Sequence, residues 1–100
     1  MVNFKASIII PIYNEVDSLE TLCIKLKEAF QNIKIKYIFI DDGSNDGSHD
    51  WLAKNLQTFF NVKDLNFISL KKNYGKGYAV RQGIKKVEGQ YTIFIDSDLE

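Results

Sequence analysis

Four short apolar runs, separated by stretches with helical spacing, constrain the fold of this chain more than any other feature. The first run, Ser7–Ile12, is continuous and rich in β-branched residues, which is typical of a strand covered on both faces. Pro11 should end that strand, because proline cannot donate to a ladder. Similar runs follow at Tyr37–Ile40, Leu65–Leu70 and Tyr91–Ile95. Strands that alternate with helices predict an α/β fold, a Rossmann-like parallel sheet with helices on both faces.

The three stretches between these runs have the apolar spacing of amphipathic helices. We expect the first helix to begin near Asp17, which would cap it, and to end near Ile33. The second should begin around Asp46 or Ser48, and the third should span Lys76–Val87. The residues expected to face the core are Leu19, Leu22, Cys23, Leu26, Phe30, Ile33, Trp51, Leu52, Leu56, Phe59, Phe60, Ala79, Val80, Ile84 and Val87.

Composition and charge limit the classes of protein to which this chain can belong. The chain has 100 residues, 45% of them hydrophobic, which suits one small globular domain. Its formal net charge is zero, so we expect no general attraction to nucleic acid or membranes. The charges are nevertheless uneven, because the segment 71–86 carries six bases and no acid.

Cysteine use and the chain start indicate the compartment. Cys23 is the only cysteine, so no internal disulfide can form, and we interpret this residue as part of the core. The start of the chain lacks the apolar region of a signal peptide. No apolar run approaches the ~20 residues needed to span a bilayer. We therefore expect a soluble, cytoplasmic protein.

Two acids follow the last apolar run. Asp96 and Asp98 are two positions apart, so on an extended chain they point the same way, with Cα atoms about 6.5 Å apart. They would repel each other unless a cation or a donor lies between them. Hard ions such as Mg²⁺ or Mn²⁺ prefer oxygen ligands of this kind. The pattern is thus compatible with a metal site, and equally with a solvated acidic turn.

Polar residues also follow the first two runs. In parallel α/β sheets, ligands bind outside the carboxyl ends of the strands. Asp42 lies at such an end, where it could accept a ring N–H of a nucleobase or simply cap a helix. Tyr13 could stack on a base or border the core, and Glu15 could merely favour the following helix.

The segment 73–81, NYGKGYAVR, follows the third run. Gly75 and Gly77 would let the backbone approach a ligand at a helix start. The segment matches neither a Walker A loop nor the dinucleotide fingerprint. A solvated basic helix face is the simpler interpretation, so as a phosphate motif it is weak alone.

Together these motifs resemble the nucleotide-binding half of a family 2 glycosyltransferase of the GT-A fold. The matching stretches are SIIIPIYNE, IDDGSNDG, NYGKGYAVRQG and IDSDLE, at residues 7–15, 40–47, 73–83 and 95–100. Each is modest alone, but four in this order at strand ends are specific. Within the family, the Pro-x-Tyr-Asn-Glu form is most similar to the polyprenyl- and dolichyl-phosphate sugar transferases.

The resemblance implies a role for individual residues. Pro11, Tyr13 and Glu15 would line the nucleoside pocket, and Asp42 would bind the base. Asp96 would reach the ribose or the metal. Those residues would bind a UDP- or GDP-linked sugar.

The resemblance extends to the phosphates and to the reaction. Asp98 would coordinate a Mg²⁺ or Mn²⁺ ion that bridges the diphosphate. Lys76 and Arg81 could help to hold phosphate, which is inferred from their charge. The family transfers the sugar with inversion, and polyprenyl phosphate is one acceptor that its members use.

The resemblance also implies a domain boundary. Residues 1–100 would be the donor-binding part of the domain, truncated after Asp98, with the catalytic base, acceptor loops and any membrane anchor downstream. We therefore expect these residues alone to bind donor without transferring sugar. We also expect the full-length protein to be cytoplasmic or at the cytoplasmic face of a membrane. The open edge of Tyr91–Ile95 would favour a homodimer or aggregation.

Two other classes are alternatives. A haloacid-dehalogenase-type phosphohydrolase also places Asp-x-Asp after a strand, but has threonine or valine where this chain has Glu100, and has the motif early in the chain. A non-catalytic nucleotide-binding or interaction module fits the absence of a catalytic base. Transfer activity in the presence of an acceptor distinguishes this module from an enzyme.

Overall fold

The computed structural model describes residues 3–97 and has four strands and three α-helices in that part of the chain. The strands are β1 (Ala6–Ile12), β2 (Ile35–Asp41), β3 (Leu65–Ser69) and β4 (Tyr91–Phe94). The helices are α1 (Leu19–Ala29), α2 (Ser48–Phe59) and α3 (Lys76–Ile84). Short 3₁₀ turns precede α1 and β3, at Val16–Ser18 and Val62–Asp64.

The strands form one parallel sheet in the order β3-β2-β1-β4. The chain thus builds outward from β1 to β3 and then returns through α3 to the other side of β1. A change of direction of this kind leaves a crevice at the carboxyl ends of the central strands. The predicted α/β fold with a parallel sheet is confirmed.

Alternate residues of the central strands pack against helices on opposite faces of the sheet. Ile8 and Ile10 of β1 contribute to a cluster with apolar residues of α1 and α2. Ile9 between them belongs to a second cluster with Ala79 of α3. All three isoleucines are fully buried, because both faces are covered, and this explains why the strand sequences are continuously apolar.

Three predictions about the helices are wrong in detail. Asp17 does not cap α1 but lies within a 3₁₀ turn, and α1 begins at Leu19. The helix ends at Ala29, before the chain turns toward β2, so Ile33 is exposed. Similarly, α3 ends at Ile84, whose side chain is 46% exposed instead of facing the core. In both helices the apolar residues keep their helical spacing in the sequence beyond the residue at which the helix ends.

Pro11 does not end β1, which continues to Ile12. The carbonyl of Ile9 accepts the N–H of Ile95, so the nitrogen two residues on, in Pro11, faces the same side. Pairing with β4 extends along β1 only to Ile9. The missing N–H of proline therefore costs no ladder bond.

Cys23 is fully buried in the cluster beneath α1 and α2, which confirms its interpretation as a core residue. Burial raises the pKa of its thiol to about 12. The thiol is therefore protonated at neutral pH and is a poor nucleophile.

The edge strand β4 presents exposed aromatic rings. Tyr91 and Phe94 are 58% and 56% exposed, and among residues 3–97 no strand pairs with the outer edge of β4. Self-association through this edge stays a prediction. In the same part of the chain, no helix is long and apolar enough to cross a membrane.

Candidate functional site

A cleft of about 390 Å³ lies at the carboxyl ends of the strands, a volume typical of small-molecule sites. Every strand end contributes to its wall. The lining residues are Pro11, Ile12, Tyr13, Glu15, Asp42, Asn73, Gly75, Lys76, Asp96 and Ser97. Six of the seven residues predicted to bind donor are therefore neighbours, although they come from four separate parts of the chain.

Asp42 holds the loop between β3 and α3 in place. One carboxylate oxygen accepts the backbone N–H of Tyr74 at 2.9 Å, and the other accepts that of Gly75 at 3.0 Å. The amide nitrogen of Asn73 adds a longer contact of 3.4 Å. Asp42 is only 3% exposed, so these donors compensate for burial of its charge. The oxygen bonded to Tyr74 has a second lone-pair direction that could accept another hydrogen bond, whereas the oxygen bonded to Gly75 also carries the Asn73 contact.

The loop after β1 is bonded to the loop after β2. The N–H of Asn14 donates to the hydroxyl of Ser44 at 2.8 Å, and the Asn14 side chain accepts the N–H of Asn45 at 2.9 Å. The N–H of Glu15 donates to the buried hydroxyl of Ser48 at 2.9 Å. These side-chain bonds hold the loop after β1 in place at the cleft wall. They also support the left-handed backbone of Asn14, whose φ is 51°.

Gly43 allows the loop after β2 to contact the loop between β3 and α3. Its φ is 73°, and a Cβ at this position would lie 2.5 Å from the backbone nitrogen of Asn73. A side chain of any size would therefore push the loop of Asn73 away from Asp42. The glycine of the Asp-Asp-Gly-Ser stretch thus has a steric role as well as a conformational one.

Also in the lining of the cleft, Asp96 forms an ion pair with Lys76. Both side chains are more than half exposed, at 57% and 62%, so the pair is screened by solvent and weakly held. The N-terminus of α3 begins at Lys76. A cationic side chain, a helix N-terminus and a carboxylate therefore meet at one edge of the cleft.

Of the predicted site residues, Arg81 does not line the cleft, and its guanidinium carbon lies 5.9 Å from the ring centroid of Tyr78. A phosphate-binding role for Arg81 stays a prediction. Asp98 lies outside the described residues, and within residues 3–97 no group of three or more His, Cys, Asp or Glu side chains could hold a metal.

The sequence interpretation did not assign Ile12, Asn73, Gly75 or Ser97 to the site. Gly75 was predicted only to let the backbone approach a ligand at a helix start, and Ser97 was given no role. The position of these residues at strand ends, or in the loops that follow them, was the signal that could have identified them.

A buried carboxylate next to the cleft has an unpaired atom. Asp41 is 1% exposed, and one of its oxygens accepts the N–H of Ser44 at 3.3 Å. The other oxygen has no hydrogen-bond partner among residues 3–97. An unpaired buried acceptor destabilises the folded state. Asp41 therefore contributes less to the stability of the loop after β2 than its buried position suggests.

Comparison with known proteins finds that the chain is similar to glycosyltransferases. The sequence is 35% identical over 100 residues to the undecaprenyl-phosphate 4-deoxy-4-formamido-L-arabinose transferase of Proteus mirabilis, a match that covers 96% of this chain and 29% of the relative. It is 34% identical over 100 residues to the dolichyl-phosphate beta-glucosyltransferase of Saccharomyces cerevisiae, which covers 92% and 29%. The chain thus spans about 29% of the length of these relatives.

The fold has a counterpart among solved structures. A mannosyltransferase from Pyrobaculum calidifontis, in complex with GDP-Man and Mn²⁺, superposes with a TM-score of 0.81 at 21% identity, which covers 98% of this chain and 28% of the other. This likeness establishes the GT-A fold. The family model described as glycosyl transferase family 2 matches residues 7–100. This match excludes the phosphohydrolase alternative. The chain belongs to glycosyltransferase family 2.

Proposed function

We propose that the cleft binds the nucleoside-diphosphate sugar from which a family 2 glycosyltransferase takes its sugar. The observation that carries this proposal is the convergence of residues from all four strand ends on one cleft of about 390 Å³. Its lining has two chemically different parts, since Asp42 is buried and the Lys76–Asp96 pair is exposed. This polarity suits a ligand with a flat, uncharged base and a charged diphosphate.

The base would lie between Asp42 and Tyr13. The Tyr13 ring is 43% exposed at the cleft wall, where it could stack on a base. The Asp42 oxygen that accepts the N–H of Tyr74 keeps one free lone pair. This lone pair could accept a ring N–H from uracil or guanine, whereas adenine has no such donor.

The diphosphate would lie beside Asp96, Lys76 and the N-terminus of α3. The oxygen donors of Asp96 suit Mg²⁺ or Mn²⁺, which is commonly held by one or two carboxylates and substrate phosphates. Asp98 would supply the second carboxylate if the sequence motif acts as predicted. When bound, the metal would neutralise charge on the departing nucleoside diphosphate. Lys76 would add to this stabilisation.

For the whole protein we propose inverting transfer to a polyprenyl phosphate. Two relatives are named for undecaprenyl phosphate and dolichyl phosphate, and the matches cover 96% and 92% of this chain. The Saccharomyces and Proteus relatives differ in their sugars, so the donor sugar is not part of the proposal.

Backbone amide NMR tests the placement of the donor. On titration of UDP or GDP with Mg²⁺ into the labelled chain, we expect the largest shifts in residues 11–15, 42–43, 73–77 and 96–97. Shifts of the same size confined to the amino ends of the strands, around residues 35–37, would contradict the proposal. A ligand such as ADP serves as the control, because it carries the same diphosphate with a base that lacks the ring N–H.

A further inference from the structure

Basic and aromatic side chains form a row that begins in the loop before α3 and continues along the exposed surface of that helix. The ammonium of Lys72 lies 5.2 Å from the ring centroid of Tyr74. That ring stacks on Tyr78 at 4.4 Å between centroids. The guanidinium of Arg81 follows at 5.9 Å from the Tyr78 ring. We name the row Lys72, Tyr74, Tyr78, Arg81 and Lys85 the basic-aromatic face.

Helical geometry places this face opposite the core. Tyr78, Arg81 and Lys85 are spaced by three and four residues and so share one side of α3. The buried residues Ala79 and Gly83 lie on the other side, against the sheet. Tyr74 is 45% exposed, and Lys72, Arg81 and Lys85 are exposed as well. The row is therefore available to a partner without any change in the fold.

The charge of the whole chain is polarised around this face. Residues 71–86 contain six bases and no acid, while the remaining 84 residues contain all 13 acids and the other seven bases. A chain of zero net charge thus carries a local excess of positive charge along this segment, where Asp96 pairs with Lys76, and an excess of acids in the rest of its sequence. A large anionic surface would attract the exposed bases of this segment, and so it would orient the molecule.

We propose that the basic-aromatic face docks on an anionic lipid bilayer. Lysine and arginine are attracted to acidic headgroups, and tyrosine favours the boundary between water and lipid, where its ring is buried and its hydroxyl stays wet. The expectation of no general attraction to membranes rested on the net charge of the chain, whereas this proposal rests on the local excess of bases in residues 71–86. Because Lys72 and Tyr74 flank Asn73, which lines the cleft, docking would hold the cleft mouth close to the bilayer.

Co-sedimentation with vesicles tests the proposal. We expect the chain to bind vesicles that contain phosphatidylglycerol, to ignore vesicles of phosphatidylcholine alone, and to be released by salt. Soluble glycerol phosphate should not compete, since one headgroup cannot replace a charged surface. Equal binding to both kinds of vesicle would overturn the proposal. Binding to a single-stranded oligonucleotide but not to phosphatidylglycerol vesicles would overturn it too.

Matched variants locate the surface. The double change Lys72→Gln and Lys85→Gln should weaken vesicle binding by about 25-fold, at about fivefold for each basic residue. Tyr74→Ser should weaken it further without altering the charge. The control is Lys25→Gln with Lys27→Gln, two exposed lysines of α1, which should change binding less than about twofold. Equal losses in the two double variants would contradict the proposal, and unchanged nucleotide binding in both separates it from the donor site.

Discussion

The carboxylate of Asp42 accepts the backbone N–H of Gly75 at 3.0 Å, across 33 positions of sequence. The residue expected to recognise the base is therefore also the residue that holds the loop leading into α3. The proposed base-binding residue and the proposed phosphate-binding residue Lys76, which directly follows Gly75, are connected through one side chain. The predictions below separate these two roles.

Removal of the Asp42 carboxylate should weaken the nucleotide complex. Asp42→Ala should reduce UDP or GDP binding by about 1.5–3 kcal/mol, as for a lost charged hydrogen bond. It should also lower the free energy of unfolding by about 1–3 kcal/mol, because two backbone N–H groups lose their acceptor. Calorimetry and urea denaturation measure the two effects. ADP should bind poorly to the unmodified chain, and ADP affinity equal to that of UDP and GDP would contradict base recognition by Asp42.

Lys76 should act on the phosphates and not on the base. Lys76→Met should weaken UDP or GDP binding by about 1 kcal/mol, a modest effect because the side chain is 62% exposed. Binding of the uncharged nucleoside should stay the same. The matched control is Lys71→Met, an exposed lysine just before the loop that lines the cleft. If Lys76→Met weakened nucleoside and nucleotide equally, the proposed position of the diphosphate would be wrong.

Gly43 should tolerate no side chain. Gly43→Ala should lower the free energy of unfolding by about 3 kcal/mol, since a Cβ would clash with the backbone near Asn73. Gly47→Ala is the matched control, because Gly47 also has a positive φ, of 99°, but only the Val16 side chain lies nearby, at 3.8 Å. We expect it to cost about 1 kcal/mol, from backbone strain alone. Chemical denaturation that showed equal costs would exclude close loop contact as the reason for Gly43.

Asp46 should make the cleft wall sensitive to acid. Slight desolvation raises its pKa, but hydrogen bonds from Ser48 and Val16 outweigh this and hold the pKa below the ordinary 3.8. The fold therefore favours the ionised form, and this contribution is complete above pH 3.8 and is lost as the pH falls through the lower, folded-state pKa. Asp46→Asn should thus be less stable than the unmodified chain near neutral pH. In urea denaturation below about pH 3 the difference should shrink, and a difference that grew in acid would show the wrong sign.

Sequence patterns predicted the sheet better than the ends of the helices. The runs at β1 and β2 were identifiable because both faces of these strands are covered, which leaves few polar positions inside them. The exceptions are Ser7 in β1 and Lys36 and Asp41 in β2, all of them buried. The end of α1 was not, since Phe30 and Ile33 continue the helical spacing although the helix has stopped at Ala29. Local spacing records which residues are apolar, whereas the end of a helix depends on where the chain must turn.

The residues of the site could be predicted from the sequence, but the hydrogen bonds between them could not. Strand ends in a parallel sheet meet at one edge, so Tyr13, Asp42 and Asp96 could be placed together from the sequence. The bonds from Asp42 to Tyr74 and Gly75 could not, because no local pattern relates residues more than 30 positions apart. For the same reason Arg81 was assigned to the phosphates on its charge, although the structure places it beside Tyr78.

The central claim is that this cleft binds a nucleoside diphosphate together with a divalent metal. The most direct measurement is calorimetric titration of the chain with UDP and GDP, in Mn²⁺ and in chelator, alongside Asp96→Asn and Asp98→Asn. We predict that at least one of the two nucleotides binds the unmodified chain more tightly with Mn²⁺, and that Asp98→Asn removes most of that dependence. Equal affinity of both nucleotides in Mn²⁺ and in chelator would contradict the account.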